Sequence, residues 1–61
     1  MSAYSRYIES KPEDMFEEAV FEILNDMLGR QGFDSIWGNI DDDIRNEILE
    51  TWTNIVQEHT T

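Results

Sequence analysis

The sequence predicts an all-α protein: an antiparallel helical hairpin with a short connecting helix between its arms, completed by homodimerisation. Three observations carry that expectation. Apolar residues recur at intervals of three and four through two long stretches, glycines fall between those stretches at 29, 32 and 38, and no alternating run with an Asn-Gly type turn signals a β-hairpin.

The opening residues place Tyr4, Tyr7 and Ile8 at helical spacing, which suits one turn laid on the core but is too short to stand as an element. The first arm is expected over about residues 11–31. Ser10-Lys11-Pro12-Glu13 has capping-box spacing, Pro12 is tolerated in a first turn, and Glu13, Asp14, Glu17 and Glu18 favour the positive helix end. Phe16, Val20, Ile23, Leu24 and Met27 form one apolar stripe, with Asp14, Glu18, Glu22 and Asp26 opposite. Gly32 is the expected left-handed stop, with Phe33 folding back over Leu28; Gly29 is the alternative stop.

A short helix is expected over about 34–38, capped by Asp34 and carrying part of the run Phe33, Ile36, Trp37 and Ile40. The second arm, about 41–58, opens on Asp41, Asp42 and Asp43 and carries the stripe Ile44, Ile48, Leu49, Trp52, Ile55 and Val56. Because the stripe stays in phase across Gly38, a single helix from Asp34 to Glu58 is the rival reading; the Gly38-Asn39 pair favours two.

At 61 residues the chain is one small domain with a marginal core. It has no cysteine, which suits a reducing compartment, and a second subunit becomes the natural supplement to the core. The first twelve residues lack the basic-then-apolar pattern of a secretory signal and no segment is long enough to span a membrane. A cytoplasmic protein is expected. Acidity can mark disorder, but 39% hydrophobic residues, seven aromatics and strong helical periodicity predict a folded chain.

The residues give little footing for catalysis, and the protein is read as not an enzyme. His59 is the only imidazole and sits near the end of the sequence, so the serines have no positioned base; with no cysteine, the usual ligands of zinc, haem and iron–sulfur sites are missing. Asp41 to Asp43 would suit a hard cation, yet a loop counted from Asp41 has Asn46 at position six and Trp52 at position twelve, so it is not an EF-hand. Acids at a helix start explain the run, and cation binding there is a minor reading. No glycine-rich phosphate loop exists, and no cofactor or metal is assigned.

Charge is the most informative functional feature. Fourteen acids against four bases give a net charge of -10, which disfavours direct nucleic-acid and membrane binding and favours a basic protein partner. The expected partner-binding residues are Glu17, Glu18, Glu22 and Asp26, with Phe21 as the apolar anchor. Short, cysteine-free, acidic helical chains of this kind, with acids running from Glu13 to Asp26 and from Asp41 to Glu50, resemble small accessory proteins of bacteriophages. Some of those block host enzymes or defence systems by occupying nucleic-acid-binding surfaces. The resemblance is one of type over the whole chain and assigns no residue. It implies an acidic inhibitor or modulator, a possible DNA mimic, acting in the host cytoplasm. The alternative is a self-associating assembly module, most simply a dimer of hairpins forming a four-helix bundle.

Overall fold

The computed structural model describes residues 2–60. Four helices follow one another: α1 Ala3–Glu9, α2 Met15–Leu28, α3 Phe33–Gly38 and α4 Asp42–Thr60. The fold is all-α. Helices α2 and α4 run antiparallel, since Val20 lies near Ile55 and Val56 while Leu28 lies near Ile48. Helix α1 packs across α4 and covers one side of that hairpin.

The N-terminal turn is a full element. Ser2 accepts the Ser5 N–H and so caps α1, and Asn46 of α4 accepts the Tyr4 N–H at 3.1 Å. A seven-residue helix is too short to persist alone, so its stability comes from these contacts across the fold. Its formation moves the start of the next helix. Ser10, expected to open the first arm, instead closes α1 in the left-handed conformation (φ 58°), its N–H donating to the carbonyls of Arg6 and Tyr7. Pro12 lies in the connection, and Asp14 is the true cap, accepting the Glu17 N–H at 2.9 Å.

The far end differs as well. Helix α2 stops at Leu28 with Gly29 as its C-cap, the alternative stop rather than the favoured one. Gly32 does hold the left-handed conformation (φ 97°), but it precedes α3 instead of ending α2. Asp34 lies in the first turn of α3 and does not cap it.

The chain breaks after Gly38, and Arg45 accounts for the break. Its guanidinium donates to the carbonyls of Trp37 and Gly38, each at 3.1 Å, satisfying the free end of α3 with a cation where the helix dipole is negative. The same group donates to the Tyr4 hydroxyl at 2.6 Å and lies 5.3 Å from the Tyr4 ring centroid and 5.9 Å from that of Trp37. One side chain of α4 thus joins α1, α3 and α4.

The core is small: Ala3, Val20, Phe21, Leu24 and Leu49 are its buried apolar residues. Tyr7 closes one edge, packing edge-on against Phe21 with centroids 5.3 Å apart. Helix α2 is therefore rotated from the expected stripe. Val20 and Leu24 face inward as expected, but Phe21 joins them, and Ile23 is 54% exposed.

Leu24→Ala and Leu49→Ala are each expected to cost about 2–5 kcal/mol, enough to depopulate the folded state of so small a domain. Ile23→Ser should shift the urea midpoint by far less. Equal shifts for Leu24→Ala and Ile23→Ser would contradict this assignment of the core.

Candidate functional site

Helix α2 carries all five residues singled out for binding, and the structure divides them. Glu17 is turned inward and 3% exposed. Arg6 of α1 grips it in a fork, Nε to Oε1 at 2.6 Å and Nη2 to Oε2 at 2.9 Å, and Glu17 Oε1 also accepts the Glu13 N–H at 2.9 Å. A bidentate, charge-assisted pair of this kind is a fixed structural clamp. Glu17 is thus not part of an exposed acidic row. The hydrogen bonds from Arg6 are the main reason that its carboxyl is held below the usual carboxylate range, against the opposing effect of burial. The Glu17 hydrogen bonds likewise raise the Arg6 pKa above its ordinary value.

Asp26 is exposed and forms an i,i+4 ion pair with Arg30 at 3.1 Å. Glu18, Phe21 and Glu22 come together along a groove of about 350 Å³ between α1 and α2, with Tyr7, Ile8, Pro12 and Asn25. The groove exists because α1 turns back at Ser10 and lies beside α2. Phe21 is 6% exposed, so it contributes a packed wall rather than a projecting anchor. The Tyr7 hydroxyl donates to Asn25 Oδ1 at 2.5 Å, fixing the groove's base; burial, then the neighbouring Tyr4, raises the Tyr7 pKa. Glu18 and Glu22 are exposed and neither forms an ion pair among the described residues. Ile8, 64% exposed, supplies apolar surface beside them.

A second surface was hidden in the expected core. Ile23 and Met27 of α2 face Trp52 and Ile55 of α4 across an apolar trough that also includes Val20 and Val56. It continues past Met27 and Trp52 toward α3, where Phe33, Ile36 and Ile40 border it. Sequence periodicity finds these residues, and the stripes are wider than a lone hairpin can hide; which of them stay uncovered depends on the rotation of α2, which the periodicity of one helix does not give.

Of the acids in α4's first turn, Asp42 pairs with Arg45 at 3.1 Å. Among the described residues no three His, Asp or Glu side chains converge so as to hold a metal ion. No helix among them is long and apolar enough to cross a membrane. Comparisons with protein-family models, curated proteins and solved structures return no match.

The Arg6–Glu17 clamp makes a prediction about acid stability. Glu17's folded pKa is depressed below the usual carboxylate range, so its contribution is fully present above that range and is lost as pH falls through the lowered value. Glu17→Gln should cost about 1–3 kcal/mol at neutral pH, because Arg6 loses its charge-assisted fork and keeps the weaker contact with Glu13 at 3.6 Å. That gap should narrow in acid. Urea unfolding of both proteins from pH 7 to pH 2 measures it, and a gap that is constant with pH would contradict the clamp.

Proposed function

We propose that this chain is a non-enzymatic acidic protein-binding module, an inhibitor or modulator that docks on a basic surface of a partner, including one that otherwise handles nucleic acid. One observation carries the reading. Among the described residues Glu18 and Glu22 have no cationic partner, and they project beside a groove that is partly apolar and walled by Phe21. A Lys or Arg side chain matches both properties, laying its methylene stem on Ile8 and Pro12 while its charged head reaches the carboxylates. The net charge of -10 adds long-range attraction, which raises the encounter rate and fades with salt. The cytoplasm, that of a host cell for a phage-encoded protein, is the proposed setting.

The exposed carboxylates give this reading a clean test, because Glu18 and Glu22 take no part in the core clamp. Glu18→Gln with Glu22→Gln should leave helicity unchanged and weaken partner capture by about 1–2 kcal/mol at low salt. The measurement is a tagged pull-down from bacterial lysate with elution by salt or competing DNA, run in parallel on both proteins. An identical set of captured proteins, released at identical salt, would remove the groove from the proposal.

The apolar trough favours a second reading, a self-associating assembly module in which a two-fold dimer buries α2, α3 and α4 against their copies. Light scattering over a dilution series separates the two. A mass of one chain throughout supports the partner-binding reading, whereas a dimer that persists on dilution supports assembly.

A further inference from the structure

The trough on the side of the hairpin away from α1 has a composition that narrows what can fill it. Between α2 and α4 it is walled by apolar side chains alone, among them Ile23, Met27, Trp52 and Ile55. Ile23 is 54% exposed, Ile55 48%, and Ile36, at the α3 end, 61%. These side chains form one continuous surface, since Met27 and Trp52 border both halves of the trough. Along α2 it extends from Val20 to Leu28, roughly 12 Å at the helical rise. That length receives about two to three turns of a helix.

An extended peptide is a poor occupant. Its backbone N–H and C=O groups would lie against a lining that offers no polar partner, and no sheet edge is present among the described residues to pair with it. A helix satisfies its own backbone and presents only side chains. The occupant's charge follows from the borders. Asp26 lies about 60° around α2 from Ile23, and Glu58 about 60° around α4 from Ile55, each toward solvent. Glu47 holds the same relation to Ile44, which lies one helical turn before the trough's Ile48, and Asp34 is exposed on α3. Arg30, already paired with Asp26, is the one base along this border.

From this juxtaposition we infer that the trough seats an amphipathic helix of the partner, apolar on the face turned inward and rich in Lys or Arg on its flanks. The inference rests on the partner-binding reading above and specifies the partner's docking element. A second copy of this chain fits less well. Its own trough is bordered by the same carboxylates, so a face-to-face pair sets Asp26, Glu47 and Glu58 of one copy near like charges of the other. A basic helix reverses the sign of each of those contacts.

The test uses the full chain and three synthetic 14-residue peptides: a Leu/Lys amphipathic helix, a scrambled peptide of the same composition, and a Leu/Glu counterpart. Tryptophan emission reports on the trough through Trp52. The Leu/Lys helix should bind at low salt with a blue shift, at least tenfold tighter than the scrambled peptide, and the Leu/Glu helix should not bind. Ile23→Ser with Ile55→Ser should weaken binding at least tenfold, and Ile36→Ser, at a more exposed position, should weaken it without loss of helicity. Asp26→Asn, Glu47→Gln and Glu58→Gln together should reduce the salt dependence. Equal binding of the scrambled peptide, or no effect of the apolar variants, overturns the trough as the seat. If binding then depends on Glu18 and Glu22, the broader reading survives alone. Absence of binding by either Leu/Lys peptide sinks both. A dimer that the apolar variants dissociate would identify the trough as a seam between copies and overturn the inference.

Discussion

The Arg6–Glu17 clamp is the constraint on which the arrangement of this small fold depends. It joins the seven-residue α1 to the start of α2, and it requires Glu17 to face inward. Once Glu17 points to α1, helical geometry fixes the rest of α2: Val20, Phe21 and Leu24 follow it inward, and Ile23 is turned out. A buried carboxylate is an expensive way to orient a helix. It is stable here because the Arg6 fork and the Glu13 N–H use its acceptor sites. Arg45 performs the matching task at the other end of α1, where it meets the Tyr4 hydroxyl and closes α3. Two of the four basic residues are thus committed to holding α1 in place, which leaves the surface still more one-sided in charge.

This division explains what the sequence made legible. The helical class and the two long arms follow from periodicity, which is a property of one helix at a time, and the break at Gly38 from the Gly38-Asn39 pair. The rotation of α2 does not, because it depends on a partner helix that local propensity cannot support. Tyr4, Tyr7 and Ile8 signal only a turn; Asn46, some forty residues later, supplies the side-chain oxygen that anchors it. The shift of the α2 start from Ser10 to Asp14 has the same origin. Ser10-x-x-Glu13 and Asp14-x-x-Glu17 both have capping spacing, and only the docking of α1 decides between them. Phe21 and Glu17 exchange their expected roles for that reason: one becomes wall, the other clamp. Glu18 and Glu22 stay exposed because they lie on the side that α1 borders without covering.

Charge and apolar surface are better understood as one arrangement than as two separate features. A 61-residue chain with Ile23, Ile36, Ile44 and Ile55 each about half exposed would ordinarily associate without specificity. Carboxylates along both borders of the trough oppose that outcome. At physiological ionic strength their effect falls off over about 8 Å, long enough to disfavour close contact between two acidic rims. On the proposed reading the apolar surface remains available, and the same carboxylates that disfavour a second copy supply attraction for a basic helix. Burial then provides the part of the binding that salt does not remove. On this view the acidic excess does more than maintain solubility: it selects which molecule is permitted to cover the trough.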